Sequence, residues 1–226
     1  MEMITVIDAI KSRRSIRKYK PDPVPDGIIL QLLDCARLAP SAHNSQPWRF
    51  IVLKDAGIKR KLKEYAYELH FVESAPCIIA CCADLSVYTR RTTRRRFKEL
   101  QIDGALGDIG DTGYVAEPLP DDSSVDDLRR YYLGSCRFNS AISTEHIALA
   151  ALAFGLGTCW IHMFDPKKVH QLLNLPDTVI VVSLLALGYP AQGPLPRPRV
   201  PLEDLILTPI TEACSLGAED DVDLKG

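Results

Sequence analysis

Three arginines and a serine fall within five positions in Arg13-Arg14-Ser15-Ile16-Arg17. A guanidinium carries five donors in a rigid planar fork and pairs bidentately with phosphate oxygens, and a serine hydroxyl adds one more bond, so this density of cations suits a phosphate. The competing reading is that cations at a helix end complement its macrodipole and face water. A second stretch, Pro40-Ser41-Ala42-His43-Asn44-Ser45-Gln46-Pro47-Trp48, is a short polar loop. The carboxamides of Asn44 and Gln46 match the alternating donors and acceptors of a planar heterocycle, while Ser hydroxyls and backbone amides suit a polyol or phosphate. A capped turn between two prolines, with Trp48 anchoring the core, explains the same residues. A third stretch, Thr89 to Arg96, holds five arginines in eight residues. The Asp-rich sequence after it (103, 108, 111, 121, 122, 126, 127) cancels that charge, which favours a solvated segment over a nucleic-acid patch.

Other chemistries find little support. The seven cysteines (35, 77, 81, 82, 136, 159, 214) form an odd set without a Cys-x-x-Cys pair, and they read as buried small hydrophobes in a reducing compartment. The five histidines show neither His-Glu-x-x-His nor finger spacing, so no metal site is expected. Gly104, Gly107 and Gly110 do not fit Gly-x-Gly-x-x-Gly and no strand leads into them, which argues against a Rossmann phosphate loop. A net charge of -2 gives no basic field for nucleic acid or an anionic membrane. The apolar run Ile147 to Leu156 is about half the roughly 20 residues a bilayer span requires. Met-Glu-Met-Ile-Thr lacks the pattern of a signal peptide, and a cytoplasmic location is expected.

The elements that must position these residues follow from periodicity. Thr5 is placed to cap a helix bearing Val6, Ile7 and Ile10, with Asp8 reciprocating as in a capping box. That helix delivers Arg13 to Arg17 at its end. Pro21, Pro23 and Pro25 extend the chain, Asp26 is a cap, and Ile28 to Leu38 forms a second helix with Ile29, Leu32, Leu33 and Ala36 inward. Arg49 to Leu53 reads as a strand, Lys54 to Leu69 as a charged surface helix, and Cys77 to Ala83 as a buried strand. Ser143 or Thr144 would cap a central helix from Ile147 to Leu156, which Gly155 and Gly157 end before a strand over Thr158 to Phe164. Val179 to Ala186 is the last buried strand, and a proline-rich arm follows with Arg197 and Arg199. Residues 1–213 are expected to form one domain with 84–138 as an excursion or lid, and 214–226 a loose acidic tail.

Four stretches in this order resemble the nitroreductase family of flavin enzymes: Arg13 to Arg17, Pro40 to Trp48, Ala151-Leu-Ala-Phe-Gly-Leu-Gly-Thr-Cys-Trp-Ile161, and Gly188-Tyr189-Pro190 followed by Arg199. The resemblance implies an α+β three-layer sandwich, its mixed and mainly antiparallel sheet flanked by helices, in an intertwined homodimer with FMN at the interface. It implies that Arg13, Arg14, Ser15 and Arg17 meet the FMN phosphate, ribityl chain and ring edge, with Arg197 or Arg199 completing the phosphate site. Pro40, Ser41, Ala42, His43, Asn44 and Gln46 would come from the other subunit, and the backbone at Ile161 and His162 would lie near the flavin N5. The implied activity is ping-pong transfer of hydride from NADH or NADPH through FMN to an electron-poor small molecule such as a nitroaromatic or quinone, with no catalytic side chain. His162 and Met163 stand where the family commonly has a small or acidic residue, so His162 is either a proton donor or a pocket wall. Rival readings are dehalogenation, ene reduction or flavin fragmentation on the same scaffold, a non-enzymatic flavin carrier or sensor, and a phosphate-ligand protein without flavin.

Overall fold

The computed structural model of the chain describes residues 4–88, 90–104, 119–120 and 122–206, with the side chains of 90–94 and 97 left out. Much of the expected excursion, with Gly107 and Gly110, lies outside the described residues, as does the expected acidic tail with Cys214. The chain divides into two compact units, Met1–Pro194 and Leu195–Gly226.

In the first unit, β1 (Trp48–Leu53), β2 (Cys77–Asp84), β4 (Val179–Gly188) and β3 (Gly157–Ile161) lie side by side in that order, every ladder antiparallel. The one parallel pairing among the described residues is an isolated bridge from Ser15 to Thr158, which supplies the mixed character. Alternation along β2 sorts its side chains: Ile78, Ala80 and Cys82 face one helical layer, Cys77, Ile79 and Cys81 the other. The first layer brings Leu62 of α3 (Ala56–Tyr65), Val72 of α4 (His70–Ser74) and Val169 of α7 (Pro166–Leu172). The second brings Ile29, Leu32 and Ala36 of α2 (Asp26–Arg37) and Ile147 of α6 (Val125–Ala150). Helices on both faces of an antiparallel sheet make the three-layer α+β sandwich.

Several boundaries differ from the sequence reading. Lys54 to Leu69 is not one helix: Asp55 caps α3, which stops before Ala66, and Tyr67 and Glu68 take left-handed φ values of 51° and 61°. Asp26 does not cap α2, which starts after Pro25; its carboxylate instead meets Lys54 Nζ at 2.5 Å. Neither Ser143 nor Thr144 is a cap, because both sit inside the 26-residue α6, their hydroxyls donating to the Ser140 carbonyl. Ser124 is the true cap, accepting from Asp127 N at 3.1 Å. Gly155, at φ 67°, ends the helical run as expected, but Gly157 opens β3, where a Cβ would collide with Ile16 Cγ1. The segment Arg90–Ile102 is helix α5, and Arg96 is buried rather than solvated, donating to the carbonyls of Val87 and Ser45. No described helix is long and apolar enough to cross a membrane.

Candidate functional site

α1 (Val6–Ser12) starts at Thr5, whose Oγ1 accepts from Asp8 N at 3.1 Å; the hydroxyl also donates to the Asp8 carboxylate, so the capping box closes side chain to side chain. The helix ends at Arg13, and the chain then runs beside β3, with Ile16 N donating to Thr158 O at 2.9 Å. Gly157 allows this approach because it has no Cβ. The three arginines receive different surroundings. Arg14 turns back, its Nη1 donating to the carbonyls of Lys11 and Arg13 at 2.7 and 2.8 Å, where α1 leaves acceptors unpaired. Arg13 faces Glu145 of α6 at 3.5 Å, and that carboxylate also accepts from Trp160 Nε1 at 3.0 Å. Arg17 is exposed and forms no ion pair among the described residues. Burial raises the Cys159 thiol above its usual range, against the pull of the Arg17 and Arg13 charges, so both cations lie close to the β3 surface.

A cavity of about 360 Å³ opens against this segment, lined by Ser12, Arg13, Arg14, Ile16, Gly157 and Thr158, by Ala148, Leu152 and Leu156, and by Pro190, Gln192, Gly193 and Pro194. Its size lies within the ordinary range of ligand pockets. Thr158 is buried, and its Oγ1 has no hydrogen-bond partner among the described residues. Two guanidinium groups among the lining residues suit a polar, anionic ligand.

The loop of residues 40–46 is held separately. Ala42–Asn44 forms a short 3-10 turn in which His43 and Asn44, followed by Gln46, take φ of 52°, 50° and 46°. Such backbone persists only where its surroundings over-determine it. Here Ser41 Oγ accepts from Gln46 N at 3.0 Å, Asn44 Oδ1 from Gln46 Nε2 at 2.8 Å, and Asn139 Oδ1 from Ala42 N at 3.0 Å. Asn139 is fully buried on α6, and its Nδ2 donates to Tyr88 OH at 2.9 Å and Ser45 Oγ at 3.3 Å. Pro40, Ala42, His43, Asn44 and Gln46 remain exposed and Ser41 half-buried, so the loop presents its polar groups outward. Among the described residues no hydrogen bond or ion pair joins it to the arginine segment of the same chain.

Ile161 ends β3, buried and paired with Leu184, and His162 follows exposed. Arg197 and Arg199 belong to the second unit, where both are exposed and Arg199 Nη1 donates to the carbonyls of Arg197 and Pro198 at 3.2 Å. Glu145 and Asn139 escaped the sequence reading, which took Thr158 as a strand residue and Arg96 as part of a solvated run. A Ser-x-x-Asp cap signal at Ser124 was available and would have carried α6 across Asn139 and Glu145.

The nitroreductase family model matches residues 10–189. A relative from Thermus thermophilus described as an NADH dehydrogenase is 35% identical over 199 residues, covering 88% of this chain and 93% of its own. An FMN reductase [NAD(P)H] of Bacillus subtilis is 29% identical over 203 residues, covering 89% of this chain and 72% of its own. In structure, the NADPH:FMN oxidoreductase of Vibrio harveyi, solved with NAD+, superposes with a TM-score of 0.67 at 23% identity, covering 89% of this chain and 75% of its own; it shows the fold. With matched residues running from α1 to the end of β4, the chain belongs to the nitroreductase family.

Proposed function

We propose that this protein is an FMN-dependent oxidoreductase that moves hydride from NADH or NADPH to an electron-poor acceptor such as a nitroaromatic or quinone. The observation that carries this reading is the cavity against the arginine segment, lined by Arg13 and Arg14 together with Ile16, Gly157 and Thr158. Arg13, Ser15 and Arg17 would hold the phosphate and the polyol of FMN. Arg14 helps by fixing the end of α1, since its guanidinium is engaged with backbone carbonyls. The loop of residues 40–46, held outward by Asn139, would complete the site of a second copy, making the working unit a homodimer. Bound FMN would supply a carrier that accepts hydride from one partner and returns it to another, so donor and acceptor occupy one place in turn. The chain's own residues bind, orient and exclude. Buried Ile161, at the end of β3, and exposed His162 after it would lie beside the flavin ring. Six free thiols among the described residues, five of them buried, suit the reducing cytoplasm.

The visible spectrum of the purified protein, followed by anaerobic addition of NADH and then NADPH, tests the reading. A flavin spectrum that bleaches with one donor and recovers when a quinone is added supports the reductase. A colourless protein that also fails to take up added FMN refutes it, and flavin that binds but never turns over points to a carrier. Product analysis after aerobic cycling separates acceptor reduction from flavin fragmentation.

A further inference from the structure

β4 runs for ten residues and β3 for five, and their ladder ends at Ile161 and Leu184. Among the described residues the start of β4 therefore has no strand on that side, and there a second cavity of about 360 Å³ opens between the N-terminal half of α6 and α7. It shares no lining residue with the cavity beside the arginine segment. Ile180 and Val181 lie at its base, and α6 contributes Arg129, Leu133 and Arg137, spaced by four so that they share one helical face. From α7 come Lys167 and His170.

The charges around this cavity are unbalanced. Asp177 is the one carboxylate among its lining residues. Arg129 Nη2 reaches only the backbone carbonyl of that residue, at 3.3 Å, and His170 Nε2 lies 3.2 Å from the carbonyl of Pro176. The side chains of Arg137 and Lys167 have no hydrogen bond or ion pair among the described residues. Some exposed cations elsewhere do meet carboxylates, Arg37 with Asp34, Arg49 with Asp84, Lys54 with Asp26, and Arg130, next in sequence to Arg129, with Asp127, while others such as Arg17 meet none among the described residues. Unneutralised cations around an apolar base raise the local concentration of anions and favour one that also has an apolar body.

We propose that this cavity is a binding site for a small aromatic carboxylate, its ring against Leu133, Ile180 and Val181 and its carboxylate taken by Arg137 and Lys167. Arg137 offers the planar bidentate fork and Lys167 a mobile point charge, a pairing suited to a carboxylate at the mouth of an apolar hollow. The site is independent of flavin, because none of these residues is placed in the proposed FMN site.

The probe is naphthalene-2-carboxylate, with the uncharged naphthalene-2-carboxamide as its shape match, titrated calorimetrically into the protein in excess FMN. Wild type is expected to bind the carboxylate, and the carboxamide about tenfold more weakly or worse. The double substitution Arg137→Gln with Lys167→Gln changes two exposed, unpaired side chains and is expected to weaken carboxylate binding by about tenfold or more. Arg17→Ala, in the arginine segment, is expected to bind it as wild type does. Equal affinity for the carboxamide, undiminished binding to the double variant, or no binding to wild type overturns the proposal. Loss of binding in Arg17→Ala overturns it as well, by placing the anion at the arginine segment.

Discussion

Arg13, Arg14 and Arg17 are alike as letters and different as groups. Arg14 spends its donors on the last carbonyls of α1, Arg13 is shared with Glu145, and Arg17 is exposed without an ion pair. A phosphate bound here would draw on Arg17 most directly, since its guanidinium has no carboxylate to give up. Charge-assisted hydrogen bonds are each worth about 1.5–3 kcal/mol, so Arg17→Ala is expected to weaken FMN binding by roughly ten- to a hundred-fold, measured by fluorescence quenching on titration. Arg14→Ala is expected to act elsewhere: it leaves helix-end carbonyls unpaired and lowers the denaturant midpoint while changing FMN affinity less than Arg17→Ala does. Equal losses of flavin affinity in the two variants would mean that Arg14 leaves α1 for the ligand.

At the scale of elements, α6 ties the site together. At about 1.5 Å per residue its 26 residues span roughly 39 Å, and within seven positions it carries Asn139, which holds the strained loop, and Glu145, which holds Arg13 and Trp160. Asn139→Leu keeps the volume but strands the Ala42 N–H and removes a partner from Tyr88 and Ser45. The expected cost is about 2 kcal/mol of stability in urea denaturation, together with weaker flavin retention; unchanged flavin affinity would show that the loop plays no part in binding. This helix was also the least legible element. β2 and β4 were readable because unbroken apolar runs are what strands buried on both faces require, and α2 because Ile29, Leu32 and Ala36 recur at helical spacing. In α6 the run Asn139-Ser140 and Ser143-Thr144 looks like a helix start, yet all four are buried, the Ser143 and Thr144 hydroxyls donate to the Ser140 carbonyl, and the Asn139 amide bonds Ala42 N, Ser45 and Tyr88. The positive φ at Tyr67 and Glu68, which splits α3 from α4, involves no glycine or asparagine and left no trace in the residue types. The arginine segment and the polar loop were legible as chemistry, whereas Asn139 and Glu145, which position them, became visible only once α6 placed them there.

At the scale of the whole molecule, α1 poses a problem that the described residues do not solve. Val6, Ile7 and Ile10 recur at helical spacing as a core-facing stripe would, but they are 71%, 53% and 59% exposed, and Ala9 alone of the helix is buried. At about 25 cal/mol per Å² of apolar surface, leaving three large aliphatic side chains in water forgoes several kcal/mol. A contiguous apolar stripe of this kind marks a contact surface. It lies directly before the arginine segment, so a partner that covers α1 also stands beside the proposed phosphate site. The loop of residues 40–46, presented outward, is the piece such a partner would bring. Dimerisation and flavin binding should then fail together. Replacing Ile7 and Ile10 by Glu is expected to convert a dimer to monomers in sedimentation velocity, with FMN lost on dialysis while far-ultraviolet circular dichroism stays that of a folded chain. The Thr5 cap and the Arg14 clasp remain to hold the helix in this variant. A dimer that persists with its flavin would assign the stripe to another partner, and monomers that keep their flavin would show that one chain builds the whole site.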